Sequence, residues 1–180
     1  MLQNVRKRLE CTGSTTKRAV SIHIRLDIIS RIENTSPFHE GFRKLCAIRK
    51  TPVGQLPGEG AVLFKEKINF KMPGADSFKP HQDSQAGWEK YGSYYINVMV
   101  TIDEATVDDG CLQIAAGHHR RGLFREWNPL TEDDMADMEF VHCPTKPGDL
   151  VFFDSYVPHA SEPNLSNHMR RLYFATYNRL

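Results

Sequence analysis

The chain has 180 residues, of which 40% are hydrophobic and 25% charged, with a formal net charge of +1. That length fits one domain with a real core, and the charge balance lacks the clustered basic surplus of a nucleic-acid binder. No apolar run approaches the length of a membrane span, and Cys11, Cys46, Cys111 and Cys143 are widely spaced with no CxxC, so reduced thiols in a cytoplasmic protein are expected.

Residues 1–19 read as an unassigned basic lead-in before a domain spanning 20–180. Across residues 1–25, Arg6, Lys7, Arg8, Lys17, Arg18 and Arg25 face a single acid, Glu10, a balance that a mitochondrial presequence shares. The terminal Asn-Arg-Leu loosely resembles a peroxisomal address but lacks its small first residue. Val20, Ile22, Ile24, Leu26 and Ile28 alternate with other residues and predict a strand. Ser36-Pro37 reads as a helix cap followed by proline at the first helical position. With Phe38, Phe42, Leu45 and Cys46 at helical spacing, it predicts a helix over 37–49. The proline- and glycine-rich 51–60 run is a loop, and 61–72 a strand that Pro73-Gly74 ends. Residues 94–102 and 111–115 are strands, joined as a hairpin through Asp108-Asp109-Gly110. Residues 117–122 form a basic loop, Thr131 caps a short helix, and strands follow at 140–143, 150–153 and 169–177. Many short strands with turn signals between them predict an all-β sandwich or barrel with few helices outside it.

The chemistry centres on His81-Gln82-Asp83. In an extended backbone residues 81 and 83 project to one side. An imidazole and a carboxylate placed so are two corners of a 2-His-1-carboxylate triad, which leaves open positions on Fe(II). The third ligand has three possible sources: His118 or His119 in the charged loop, His142 in a short strand, and His159. His159 is the best placed, at the end of a strong apolar strand. Arg170 opens the last strand, and its planar fork suits the distal carboxylate of a dicarboxylate co-substrate, whereas Arg171 points to the opposite face. Before the His-x-Asp pair, Lys65, Lys67, Asn69 and Lys71 share one face, and Phe64, Ile68, Phe70 and Met72 the other. This is either a cationic wall toward the metal or an edge strand guarded by lysines.

Together, HQD at 81–83, PGDLVFFDSYVPHAS at 147–161, RRLYFATYN at 170–178 and Asp109-Gly110-Cys111-Leu112 resemble the phytanoyl-CoA dioxygenase family of Fe(II)/2-oxoglutarate oxygenases. The likeness runs from about residue 22 to the end. It implies a mainly β, double-stranded β-helix (a jelly roll, cupin-like) with a few flanking helices. By this resemblance His81, Asp83 and His159 are the Fe(II) ligands. Arg170, with Ser161, anchors 2-oxoglutarate, which Asn69, Lys67, Lys71 and Met99 also contact, with Arg31 as a further neighbour. Lys65, Trp88 and His118 would face the substrate. The implied reaction couples decarboxylation of 2-oxoglutarate to succinate and CO₂ with O₂-dependent hydroxylation of a C–H bond. Retention of Asp83 favours hydroxylation over halogenation. The basic residues suggest a small anionic substrate, and HQDSQAGW is similar to the 2-aminoethylphosphonate dioxygenase branch, so a phosphonate leads and an acyl-CoA follows. Members of this family are usually longer, with a helix and strand before the segment that begins here. A non-catalytic jelly-roll binding module is the alternative.

Overall fold

The computed structural model describes residues 5–10, 19–25, 28–47 and 61–179. Within them, two antiparallel sheets pack face to face. The larger has strand order β1 (Val5–Glu10), β2 (Ala19–Arg25), β3 (Ile28–Glu33), β4 (Ala61–Lys71), β11 (Arg170–Arg179), β6 (Tyr95–Thr101) and β9 (Leu150–Asp154). The smaller has β5 (Phe78–His81), β10 (His159–Ser161), β7 (Leu112–Ile114) and β8 (Val141–Cys143). This is the expected jelly roll.

Alternation along the central strands builds two layers of core. Met99, Phe153 and Leu172 of the large sheet meet Cys111, Leu112 and Val157 between the sheets. The other face of the large sheet carries Ile68, Val98, Tyr173, Ala175 and Tyr177, covered by Phe42, Leu45 and Cys46 of α1 (Glu40–Cys46). Phe42 stacks on Tyr173 at 5.3 Å, the Tyr173 hydroxyl lies 2.7 Å from Cys46 Sγ, and the Tyr177 hydroxyl donates to the Cys46 carbonyl at 3.0 Å. A strand buried on both faces reads as a nearly continuous apolar run, which is why β6 is so distinct in the sequence.

Several expectations change. The lead-in contains β1, paired with β2 from Val5↔Ile24 to Glu10↔Ala19; its alternation of Val5, Lys7 and Leu9 is masked by charge. The predicted strand over 20–28 ends at Arg25, and Ile28 opens β3. The helix starts three residues later than predicted, capped by His39. Ser36 and Thr35 are engaged elsewhere: the Ser36 N–H and the Thr35 hydroxyl donate to the Glu66 carboxylate at 2.7 and 2.9 Å, forming a turn before the helix. The last two residues of the predicted helix and the 51–60 loop lie outside the described residues. β6 and β7 do not form a hairpin. Both sides of β6 are taken by β11 and β9, so the chain crosses to the small sheet, where β7 pairs with β10 and β8. Residues 132–137 form turns rather than a helix: the Asp134 carboxylate accepts from the Thr131 N–H and hydroxyl at 2.8 Å each and closes the turn on itself.

The change that bears most on function concerns β4. It lies between β3 and β11 and is no edge strand, so its lysines guard no free edge. Its pairing with β11 shifts register between Thr176 and Tyr177, which skips Phe64. Phe64 therefore leaves the apolar face of Ile68 and packs against Trp88 and Tyr95 at 5.3 and 4.9 Å.

Glu66, buried on the helix side of β4, is the acceptor that ties the 34–36 turn to the sheet. Glu66→Leu strands two donors, and hydrogen bonds to a charged group contribute about 1.5–3 kcal/mol each. Urea unfolding should show a stability loss of about 3–6 kcal/mol with an unchanged m-value.

Candidate active site

His81 closes β5 and Asp83 opens the 3-10 turn that follows, with Gln82 between them in extended backbone. Both functional side chains thus project to one side. Across the strand pair, His159 sits directly opposite His81, with ring centroids 4.2 Å apart. His159 Nε2 is 3.8 Å from Asp83 Oδ2. One donor atom from each of the three residues lies within 4.8 Å of the others, close enough to share a metal ion.

Their orientation is fixed by neighbours. His81 Nδ1 lies 2.7 Å from the Lys79 carbonyl, and His159 Nδ1 lies 2.9 Å from the Val157 carbonyl. A carbonyl only accepts, so each Nδ1 carries the proton and each Nε2 presents its lone pair. Asn97 Nδ2 donates to Asp83 Oδ2 at 3.0 Å, and the Thr176 hydroxyl donates to Asn97 Oδ1 at 2.7 Å, which sets the amide's orientation. Such outer contacts aim metal ligands. Burial, with His159 beside it, pushes His81 down to about 4, so it is neutral at pH 7. Burial alone would disfavour the Asp83 carboxylate. Lys67 foremost, with His159 and His81, overcomes that and holds the group well below the ordinary range. A neutral imidazole and an ionised carboxylate are the forms that bind a metal.

The three residues face a cavity of about 270 Å³ between the sheets. β4 contributes Lys65, Lys67, Asn69 and Lys71 to its wall, β3 contributes Arg31, and β11 contributes Arg170, Leu172 and Phe174. The cations form two groups. At one end are Arg170, Lys71 and Ser161, all buried. Arg170 Nη2 donates to the Gly110 carbonyl at 2.9 Å, and its Nε stands 3.0 Å from Asp109 Oδ1 without hydrogen-bond alignment. Lys71 Nζ donates to Ser161 Oγ at 2.8 Å and to the carbonyls of Glu162 and Gly110. All three ammonium protons are thereby used. Lys71 supports Ser161 and Arg170 rather than offering a free donor. Gly110 is required here: its φ is +71°, and a Cβ would fall 2.0 Å from the Glu162 carbonyl oxygen. At the other end, Lys65 lies 4.0 Å over the Trp88 ring, and Lys67 5.3 Å from the Phe174 ring.

Three expected site residues stand elsewhere. Met99 is completely buried in the core between the sheets and is not part of the cavity wall, because the inward face of β6 packs there against Leu172 and Phe153. Trp88 lies one layer back as the support beneath Lys65. His118 turns to Arg121, itself paired with Asp137, away from the cavity. Arg171 points outward and forms a bidentate pair with Asp103 at 2.7 and 2.8 Å. Sequence reasoning overlooked Asn97, Gln82 and Asp109 as site residues. Asn97 is a polar residue between Tyr95 and Met99 on the inward row of β6, a signal that could have found it.

A jelly roll with this donor set inside it has the architecture and ligands that non-haem Fe(II) oxygenases use. A family model described as phytanoyl-CoA dioxygenase (PhyH) matches residues 7–172, and the chain belongs to that family. It is 41% identical over 157 residues to a 2-aminoethylphosphonate dioxygenase from an uncultured bacterium, covering 85% of this chain and 60% of the relative. It is 39% identical over 155 residues to a methylphosphonate hydroxylase from Gimesia maris, covering 84% and 59%. The chain therefore spans about 60% of the length of these curated relatives. Among solved structures, EctD from S. alaskensis with 2-oxoglutarate and 5-hydroxyectoine shares the fold, with a TM-score of 0.75 and 23% identity over 84% of this chain and 56% of that one.

Burial, joined by Lys67 for Lys65 and by Arg170 for Lys71, lowers both lysines to about 8. A bound anion favours the ammonium, so binding above that pH takes up protons. Affinity for a dicarboxylate such as succinate should be full below pH 8 and fall as pH rises from about 8 to 10. Calorimetry across that range checks this, and Lys65→Met should flatten the dependence.

Proposed function

We propose that this chain carries Fe(II)- and 2-oxoglutarate-dependent hydroxylation of a C–H bond in a small anionic substrate, with a phosphonate favoured. One observation carries this reading: the His81–Asp83–His159 cluster opens into the same cavity as two separate cationic groups. Two anions and one metal are what such a reaction needs in one place. The residues fit both guests. Neutral imidazoles and an ionised carboxylate suit Fe(II). The cavity wall also holds polar atoms that the protein leaves without an aligned partner, Asn69 Oδ1 and Arg170 Nε. The names of the relatives, a 2-aminoethylphosphonate dioxygenase and a methylphosphonate hydroxylase, support a phosphonate.

In this reading His81, Asp83 and His159 would hold the metal. With 2-oxoglutarate and O₂, bound Fe(II) supplies the oxidising power, with succinate and CO₂ released and a substrate C–H converted to an alcohol. Arg170 takes the distal carboxylate of 2-oxoglutarate through its planar guanidinium, with Ser161 beside it and Lys71 bracing both. Asn69 and Lys67 line the path from that end to the metal cluster. Lys65, steadied by Trp88, presents a point charge to the substrate anion, with Arg31 on the same wall; an ammonium suits a tetrahedral phosphonate, which needs no planar fork. Leu172 and Phe174 keep the space between the charges apolar. Asp83 occupies the position that halide chemistry would need vacant.

The test is Fe(II)-dependent 2-oxoglutarate consumption across a panel containing methylphosphonate, 2-aminoethylphosphonate and an acyl-CoA. Turnover should require Fe(II) and be stimulated by a phosphonate. Metal binding without turnover on any acid would leave a binding module. Arg170→Ala should raise the apparent constant for 2-oxoglutarate tens- to thousands-fold, since losing one partner of a desolvated charge pair costs about 2–5 kcal/mol. Arg171→Ala breaks only the outward pair with Asp103, and should leave that constant unchanged while lowering stability by less than about 1 kcal/mol.

A further inference from the structure

We infer that Gln82, the residue between two of the metal ligands, is a positioning residue that keeps His81 and Asp83 in register with His159. The inference rests on the metal site proposed above. Gln82 has φ −113° and ψ 137°, so its side chain points away from the face that His81 and Asp83 share. It is completely buried. There its amide meets the backbone of two other segments. Nε2 donates to the Gly122 carbonyl at 2.8 Å and to the Tyr156 carbonyl at 2.7 Å, and Oε1 accepts from the Phe124 N–H at 2.8 Å.

The Tyr156 bond matters most. Tyr156 precedes Val157, whose carbonyl orients His159 Nδ1 at 2.9 Å. One side chain thus ties the turn that carries Asp83 to the run that ends in His159. Strand pairing does this less firmly: His81 is opposite His159, but register shifts between His159 and Ser161, and Asp83 lies beyond the end of β5. Asn97 secures Asp83 to the large sheet, not to His159. An amide is specifically required, because two carbonyls and one N–H demand two donors and one acceptor on a single group. Methionine offers neither donor, and ionised glutamate turns acceptors toward both carbonyls.

Asn164 provides a control of the same kind. It is also completely buried, donates to the carbonyls of Lys71 and His168 at 2.9 and 2.8 Å, and accepts from Ser166. It makes no contact with the metal cluster. The experiment is calorimetric titration of Mn(II) into the full chain, its Gln82→Met and Gln82→Glu variants and Asn164→Leu, with Tm measured for each. Both Gln82 variants should bind Mn(II) about 10- to 100-fold more weakly, the usual effect of losing a contact that aims a ligand. The Co(II) spectrum of each should differ from wild type. Asn164→Leu should lower Tm yet keep the wild-type Mn(II) affinity and Co(II) spectrum. Wild-type affinity in folded Gln82 variants overturns the inference, as does an equal loss in Asn164→Leu. If Gln82→Met does not fold, Gln82→Glu is judged by the same criterion. Failure of the wild-type protein to bind Mn(II) overturns the metal site itself, and this inference with it.

Discussion

The site depends on one pairing, β5 against β10, which sets His81 opposite His159. Two histidines so placed converge only if their rings are turned the same way, and a backbone carbonyl at each Nδ1 does that. The third donor comes from beyond the strand end, and its carboxylate is held from the other sheet by Asn97. The support of the cluster therefore spans the sandwich. A change that slides one sheet over the other moves Asn97 away from Asp83, so the packing of Met99, Leu112, Phe153 and Leu172 between the sheets also keeps the carboxylate aimed.

Electrostatics gives the cavity its polarity. Lys65, Lys67, Lys71, Arg31 and Arg170 line a space that Asp83 shares, with Asp109 behind Arg170. Buried cations without enough anions nearby are costly, and burial accordingly lowers the lysines toward the amine form. A bound anion relieves that cost, so the surplus of positive charge is stability spent on recognition. The two ends differ in kind. Arg170 presents a planar fork braced by Asp109, Gly110 and Lys71. Lys65, stacked on Trp88, presents a single charge that can follow a substrate's shape.

Much of this was legible in the sequence because it is local. His-x-Asp spacing in extended backbone decides that two side chains share a face, and strand parity separates Arg170 from Arg171. The alternation of Lys65, Lys67, Asn69 and Lys71 likewise survives folding. What could not be read depends on partners distant in sequence. Phe64 changes face because β4 shifts register where it meets Tyr177. The expected hairpin fails because β6 already has a neighbour on each side. Ser36 gives up the helix cap to Glu66, thirty residues away. Asn97 and Gln82 look like ordinary polar positions until their partners, Asp83 and the 122–124 and 156 backbone, are brought to them. Met99 and Trp88 illustrate the opposite error: a residue next to a site in sequence pattern can belong to the layer behind it.

The most direct measurement is Fe(II) binding under anaerobic conditions to the wild-type chain and to His81→Ala, Asp83→Ala, His159→Ala and His142→Ala. If the three residues share one ion, the wild type binds a single equivalent, each of the first three substitutions greatly weakens it, and His142→Ala leaves it intact. Unchanged binding in His159→Ala, or loss in His142→Ala, would contradict the site described above.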